Sequence, residues 1–242
     1  MRISICIASY NGAFHIYDQV SSIIPQMSAD DELIISDNFS TDNTIDIIKN
    51  NFHDPRLKII YCETQGVSSN FQNAILYSIN DIICLCDQDD IWLPGRLDSI
   101  RKAHLNYDLV VVNGFINHES NISLYDSLSS APHFISTLYK NAILGCSMSF
   151  NKNVASVTVP FPKIIPMHDW WIYLVSILFF KVILLKKPLF IYRRHSNNVS
   201  STLSPSPNTF ITKLIFRMIM IFCLATTLPK IISFKLKNYG SL

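Results

Sequence analysis

The chain has 242 residues, 49% of them hydrophobic and 16% charged, which is enough apolar side chain for a sizeable core and excludes a largely disordered polypeptide. Its six cysteines (6, 62, 84, 86, 146 and 223) form no C-x-x-C pair, which argues against a disulfide scaffold and for packed, reduced thiols in a cytosolic setting. The net charge of +2 hides a split: residues 1–169 sum to −8, whereas residues 170–242 hold ten bases and no acid.

In chain order, "RISICIASYNG" reads as a strand ended by a turn at Asn11 and Gly12, so residues 1–10 are not the start of an export leader. Phe14, Tyr17, Val20, Ile23 and Ile24 recur at helical spacing. Leu33–Ser36 is a second strand, followed by a polar turn and a helix that Ser40, Thr41 or Asp42 is placed to cap. Residues 56–63 form a third strand and 67–80 a helix. "DIICLC" is a fourth strand. Short, continuously apolar strands alternating with helices predict a buried parallel sheet. Beyond residue 108 the alternation loosens. "DLVVVNGFIN" is a strand, "STLYKNAILGCSMSFN" a helix, Gly turn and strand, and "HDWWIYLVSILFF" a helix begun at an acid. "KVILLKKPLFIYRRH" reads as one or two strands. Residues 196–209 are rich in Ser, Pro and Asn and read as a linker.

In an open parallel sheet, ligands bind beyond the carboxyl ends of the strands. Ala8–Gly12, Asp37–Asn38 and Asp87–Asp90 all fall at such ends. Three carboxylates within four residues, against a buried strand, repel one another and lose hydration. The D-x-D spacing of Asp87 and Asp89 suits a magnesium or manganese ion that also binds phosphate oxygens, and such a cation relieves the repulsion. The competing reading is that these acids cap the next element, with Asp90 at the start of a turn.

"SYNG", "ELIISDNFSTDNT", "DQDDIWLPGRL", "GCSMSFN", "HDWW" and "YRRHSNNVS" resemble, in order and rough spacing, the family 2 glycosyltransferases, and most of all their rhamnosyltransferase-type and O-antigen members. The resemblance covers about residues 1–200. It implies an α/β fold of the GT-A type with a mostly parallel sheet, and an inverting, metal-dependent transfer from a UDP- or dTDP-linked sugar. The acceptor it implies is a polyprenyl diphosphate-linked saccharide on the cytoplasmic face of the bacterial inner membrane. By the same resemblance, Asp37 contacts the donor base or ribose, and Asp87 and Asp89 hold the Mn or Mg ion and the sugar diphosphate. Asp169 is the general base, His195 helps to hold the metal or diphosphate, and Tyr10 and Asn11 wall the nucleoside. The chain departs from the family pattern in three places. Asn38 stands where a second Asp is common, and "SSNFQNA" lacks an Arg, leaving Arg96, Arg193 or Arg194 as open candidates for a diphosphate contact. His168 stands where Glu is frequent. A sugar-nucleotide nucleotidyltransferase is the alternative enzyme, although "SYNG" lacks the Gly- and Arg-rich first turn it wants. A nucleotide- or lipid-binding module without turnover is the alternative outside enzymes.

Residues 201–242 are read as a linker and appendage. The run Met218–Ala225 is short for a span, with Lys213 and Arg217 before it and Pro229 after. Phe210, Leu214, Met218 and Ile221 make an apolar side beside that basic edge. An amphipathic helix on an anionic membrane surface fits this pattern better than a nucleic-acid contact does, because the bases are interleaved with apolar runs. A core or oligomer-contact helix is the alternative.

Overall fold

The first half of the chain alternates strand and helix because its strands are apolar on both faces and need cover on each. A computed structural model describes residues 1–117, 122–128, 130–194 and 208–239. In it β1 (Ile3–Ser9), β2 (Glu32–Asp37), β3 (Leu57–Tyr61) and β4 (Ile82–Asp87) run parallel in the order β3-β2-β1-β4. They are joined by α1 (Ile16–Ile23) with a short 3-10 turn after it, α2 (Thr44–Asn51) and α3 (Val67–Tyr77). These are the elements expected from the sequence, with α1 beginning two residues after the first periodic position, Phe14. Asp42 is the residue that answers the backbone at the start of α2, accepting from Thr44 N at 3.0 Å.

The second half completes a mixed sheet. It contains β5 (Ile91–Trp92), α4 (Arg96–Ala103), β6 (Leu109–Ile116), α5 (Phe134–Tyr139), a 3-10 turn at Gly145–Ser147 and β7 (Met148–Asn151). α6 (Lys152–Thr158), α7 (His168–Phe179), β8 (Val182–Tyr192) and α8 (Phe210–Tyr239) follow. The sheet has eight strands, and beyond β4 its order is β7-β6-β8-β5. β7 lies antiparallel to both β4 and β6, while β6 and β8 are parallel. β8 is a single strand, and its register against β6 shifts at Asn113.

Alternate residues of each strand feed opposite layers of core, as a period of two requires. Ile5, Ile7, Ile35 and Cys84 pack with Val20 and Leu97 on one face, and Cys6, Ile34, Ile83 and Leu85 pack with Phe71 and Ile172 on the other. A third cluster joins α8 to the domain: Met220, Cys223 and Ile231 bury against Val157, Trp170, Trp171 and Leu174. All six cysteines are free and buried.

α8 is the helix expected of the C-terminal appendage. It runs through Pro229, which follows the short apolar run, and on to Tyr239. The proline removes one backbone hydrogen bond of its helix, but packing on both sides of it, at Cys223 and Ile231, holds the helix to the domain. Three bases of α8 turn toward that domain. Lys230 Nζ donates to Val159 O at 3.1 Å, Arg217 Nη2 donates to Tyr139 O at 2.6 Å, and Lys235 sits 4.4 Å over the Phe180 ring. Ile211, Leu214, Ile215, Met218, Ile221 and Phe222 are left exposed. By length and composition alone, Phe210–Asn238 could cross a membrane, with a mean hydropathy of 1.8. His195 and residues 196–207 of the expected linker lie outside the described residues.

Candidate active site

The pairing of β1 between β2 and β4 brings two distant acids to one edge. Ser9 is in register with Asp37, and Ala8 with Asp87. Asp37 is buried and accepts from Ser40 N at 2.8 Å and Ser40 Oγ at 2.6 Å, closing a tight turn. Asn38 explains its own departure from a second Asp. Its Nδ2 donates to Cys62 O at 2.7 Å and its Oδ1 accepts from Gly66 N at 2.9 Å, so the side chain must both donate and accept. A carboxylate can only accept.

On the β1 side, Tyr10 is exposed, and its backbone is clamped by the Gln88 amide, which accepts from Tyr10 N and donates to Tyr10 O, each at 3.0 Å. Gly12 leaves room for that amide, which a Cβ there would displace. Asn11 adopts a φ of 48° and its Oδ1 accepts from Thr41 N at 2.8 Å, so it latches the β1 loop to the loop after β2. Phe39 is also left-handed, with a φ of 58°, an unusual state for a bulky residue. Its ring stacks on Tyr61 at 5.8 Å.

After β4 the acids crowd. Ligand atoms of Asp87, Asp90 and Cys146 lie within 4.8 Å of one another. Asp90, the acid that the capping reading puts at the start of a turn, is fully buried; no N–H or O–H answers its carboxylate oxygens, and the Cys146 thiol is the hydrogen-bonding group beside them. Burial, then the charge of Asp89, push the Asp87 carboxyl up to about 7. Burial with Asp87 and Asp89 beside it raises Asp90 well above the usual carboxylate range. Asp89 therefore lies within the electrostatic reach of both, although it is outside the tightest ligand set. Behind the cluster sits Arg96, fully buried, its guanidinium 4.1 Å from the Trp92 ring centroid and 4.8 Å from that of Phe190, with Nη2 donating to Cys146 O at 2.5 Å. Its positive charge is the internal counterweight to Asp87 and Asp90. Arg96 thus lies beneath the acids, fully buried. Arg193 pairs with Asp18 at 2.8 Å.

The donor set suits a hard divalent ion. Asp90 offers two buried oxygens that no N–H or O–H answers, Asp87 a carboxylate short of positive charge, and Asp89 a third acid nearby. Burial holds Cys146 as a thiol, so the available donors are oxygens, and they fit Mg or Mn better than a soft metal.

Asp169 lies in the first turn of α7, with Met167 as the N-cap residue, so it is not the cap. It is buried, and Oδ1 accepts from its neighbour Trp170 N at 2.6 Å. Burial raises its carboxyl to about 6, against the steadying effect of Trp170 N, the Asn141 side chain and Gly145 N. Its charge is felt at Asp87, which links the two acids in one site. His168 is buried against Phe71 at 4.5 Å and its pKa is pushed down to about 3, so it is a neutral packing residue.

Residues 4–157 match the family profile "Glycosyl transferase family 2". The chain belongs to glycosyltransferase family 2. This glycosyltransferase is 30% identical over 218 residues to a dTDP-rhamnosyl transferase, RfbG, of Shigella flexneri, a match covering 79% of this chain and 72% of the other. It is 30% identical over 151 residues to WfgD of Escherichia coli, a UDP-Glc:α-D-GlcNAc-diphosphoundecaprenol β-1,3-glucosyltransferase, covering 60% of this chain and 57% of that one. The alignment thus spans little more than half the length of the second relative. In fold, the S. aureus protein TarS 1-349, solved with UDP-GlcNAc, superposes with a TM-score of 0.72 at 18% identity, covering 98% of this chain and 74% of that one. Glucosyl-3-phosphoglycerate synthase of Mycobacterium tuberculosis, solved with Mn2+ and UDP, superposes with a TM-score of 0.57 at 16% identity, covering 93% and 79%. The glycosyltransferase therefore has the mixed α/β architecture of these GT-A enzymes.

Three members of this neighbourhood escaped the sequence reading. Arg96 was weighed only as a substrate contact, Cys146 only as a packed thiol, and Gln88 only as the spacer of D-x-D. The signal for Arg96 was present: it is the only base within ten residues of three acids.

Proposed function

We propose that this glycosyltransferase moves a hexose or deoxyhexose from a UDP- or dTDP-linked donor to a polyprenyl diphosphate-linked saccharide in bacterial O-antigen synthesis, with inversion at the anomeric carbon. The observation that carries the reading is the convergence of Asp37, the Asp87–Asp90 cluster and Asp169 at the carboxyl edge of the sheet. The curated relatives named for undecaprenyl-linked acceptors support the substrate class.

In this reading Asp37 receives the base or ribose, and Tyr10 walls the nucleoside while Asn11 holds that wall in place. Asp87 and Asp89 hold a Mn or Mg ion, with His195 as a further ligand and Asp90 deepening the negative potential from beneath. The ion, when bound, supplies a Lewis acid for the leaving diphosphate. Asp169 accepts the proton of the attacking acceptor hydroxyl, and the site holds that hydroxyl in line with the anomeric carbon. The test is release of nucleoside diphosphate from UDP- and dTDP-sugars with Mn2+ and a lipid-diphosphate GlcNAc acceptor. Turnover that stops with EDTA and returns with Mn2+ is the expected result. Full turnover in chelator removes the metal assignment, and no release with any donor favours a binding module.

Residues 1–200 form the catalytic unit in this proposal, and 201–242 a linker and a segment that rests on the cytoplasmic face of the inner membrane. The exposed apolar side chains of α8 support it, together with the excess of bases in 170–242. Met218→Glu with Phe222→Glu places two charges on the outward side without touching Met220, Cys223 or Ile231. This double variant is expected to move from the membrane fraction to the soluble fraction while keeping its Tm and its turnover on a soluble acceptor. Unchanged membrane association would refute the anchoring role.

A further inference from the structure

Arg217 has unmet bonding capacity at a telling place. It sits where α8 crosses α5. Its Nη2 donates to Tyr139 O and its guanidinium lies 4.8 Å from the Tyr139 ring centroid. Its Nε is buried with no hydrogen-bond partner, and among the described residues no carboxylate pairs with it. A guanidinium partly withdrawn from water, with an unanswered N–H and no anion, costs free energy until an anion arrives. The planar fork of an arginine suits phosphate oxygens above all. Lys213 stands one turn earlier on the same side of the helix, and Lys140, exposed, follows Tyr139 directly.

The position relates this charge to both the apolar face and the candidate base. Toward the cleft, Trp170 Nε1 donates to Thr137 O at 2.8 Å, and the Asn141 side chain steadies Asp169. Tyr139 lies between these two anchor points, only two residues from Asn141, a chain length of at most about 7 Å. Away from the cleft, Ile135, Tyr139, Phe210 and Leu214 are exposed apolar side chains around the same crossing. An acceptor whose sugar hydroxyl meets Asp169 and whose lipid leaves along the apolar side must carry its diphosphate between them.

We propose that Arg217, flanked by Lys213 and Lys140, binds the diphosphate of the lipid-linked acceptor and so orients the sugar toward Asp169. This rests on the acceptor class given under Proposed function. The alternative source of the same chemistry is the phosphate of an anionic phospholipid.

The test compares the full-length protein with Arg217→Gln and Arg217→Lys. Binding is read with farnesyl diphosphate and farnesol in neutral phosphatidylcholine vesicles, and with vesicles of increasing phosphatidylglycerol content. Arg217→Gln is expected to weaken farnesyl diphosphate binding about 10-fold, the loss of one charged hydrogen-bonding partner. Farnesol binding stays unchanged, and Arg217→Lys recovers part of the loss. In transfer assays the KM for farnesyl-diphosphate GlcNAc rises about 10-fold at constant kcat, while octyl GlcNAc is used as before. Equal farnesyl diphosphate binding by parent and variant overturns the proposal. So does an equal loss on both acceptors, which marks a structural role, or a loss that follows phosphatidylglycerol alone, which marks a headgroup site. If the parent uses neither acceptor, the acceptor class has failed, and the farnesyl diphosphate measurement still judges Arg217.

Discussion

Asp169→Asn is expected to lower the transfer rate about 10²–10⁴-fold, the usual contribution of a positioned general base, while leaving donor binding intact. The amide keeps the shape of the side chain and can still accept from Trp170 N, so the first turn of α7 is preserved. What is lost is the ability to take a proton. The pH dependence separates this from a packing defect. Burial raises the Asp169 carboxyl to about 6, so in the parent kcat/KM should climb as pH rises through about 6 and the base ionises. The residual activity of the variant should lack that limb. The stability effect has the opposite sign. A carboxyl whose folded pKa is raised binds its proton more tightly in the native state, so the associated stability is full below about 4 and is lost as pH climbs to about 6. At pH 7 the parent carries a buried carboxylate and the variant does not, so the variant should melt a few degrees higher, and the gap should narrow toward pH 5. A variant that is both slower and more stable identifies a functional charge held against its own folding preference. Near-normal turnover would remove Asp169 from the chemistry.

The same conflict between local stability and function shows where the sequence was legible and where it was not. β1, β2 and β4 announce themselves because each is apolar along its whole length, and a strand buried on both faces has no other pattern to show. The carboxyl-edge site follows from that topology, so Asp37, Asp87 and Asp89 could be placed from the chain alone. α4 could not, because only Arg96, Leu97 and Ile100 of its eight residues are buried and one of them is an arginine. β5 is two residues long and exists by pairing with β8, a hundred residues on. Asp90 reads as a cap because Trp92 and Pro94 follow it in a turn, and carboxylates are in general seldom fully buried. Its surroundings include Cys146, which the fold brings in from more than fifty residues away, and Arg96 at the end of the motif. Pro229 interrupts the backbone bonding of α8, and the packing of Cys223 and Ile231 against α6 and α7 shows why the helix continues through it.

Arg96→Met is expected to destabilise the fold at pH 7 by about 1–3 kcal/mol, because it removes the positive charge beside the buried Asp87 and Asp90 carboxyls and the charged hydrogen bond to Cys146 O. Against a typical total of about 5–15 kcal/mol, that is a sizeable share. The methionine replaces the aliphatic stem and preserves contact with Trp92 and Phe190, so the loss reports charge rather than volume. The partner is identified by a cycle. Asp90→Asn alone should cost less than Arg96→Met, because the buried guanidinium keeps Asp87 as a counter-charge. Combined with Arg96→Met it should restore most of the lost stability, giving a coupling of at least about 1 kcal/mol in urea melts. Lowering the pH should shrink the Arg96→Met defect, since the Asp90 carboxyl, raised well above its ordinary range, takes up a proton and no longer needs a counter-charge. Mn2+ should raise the Tm of Arg96→Met more than that of the parent, because a cation bound only by the native state stabilises it by mass action and meets a more negative site. If Arg96→Met and Asp90→Asn are simply additive, the guanidinium is a packing element, and the acids after β4 must be balanced by something other than the arginine beneath them.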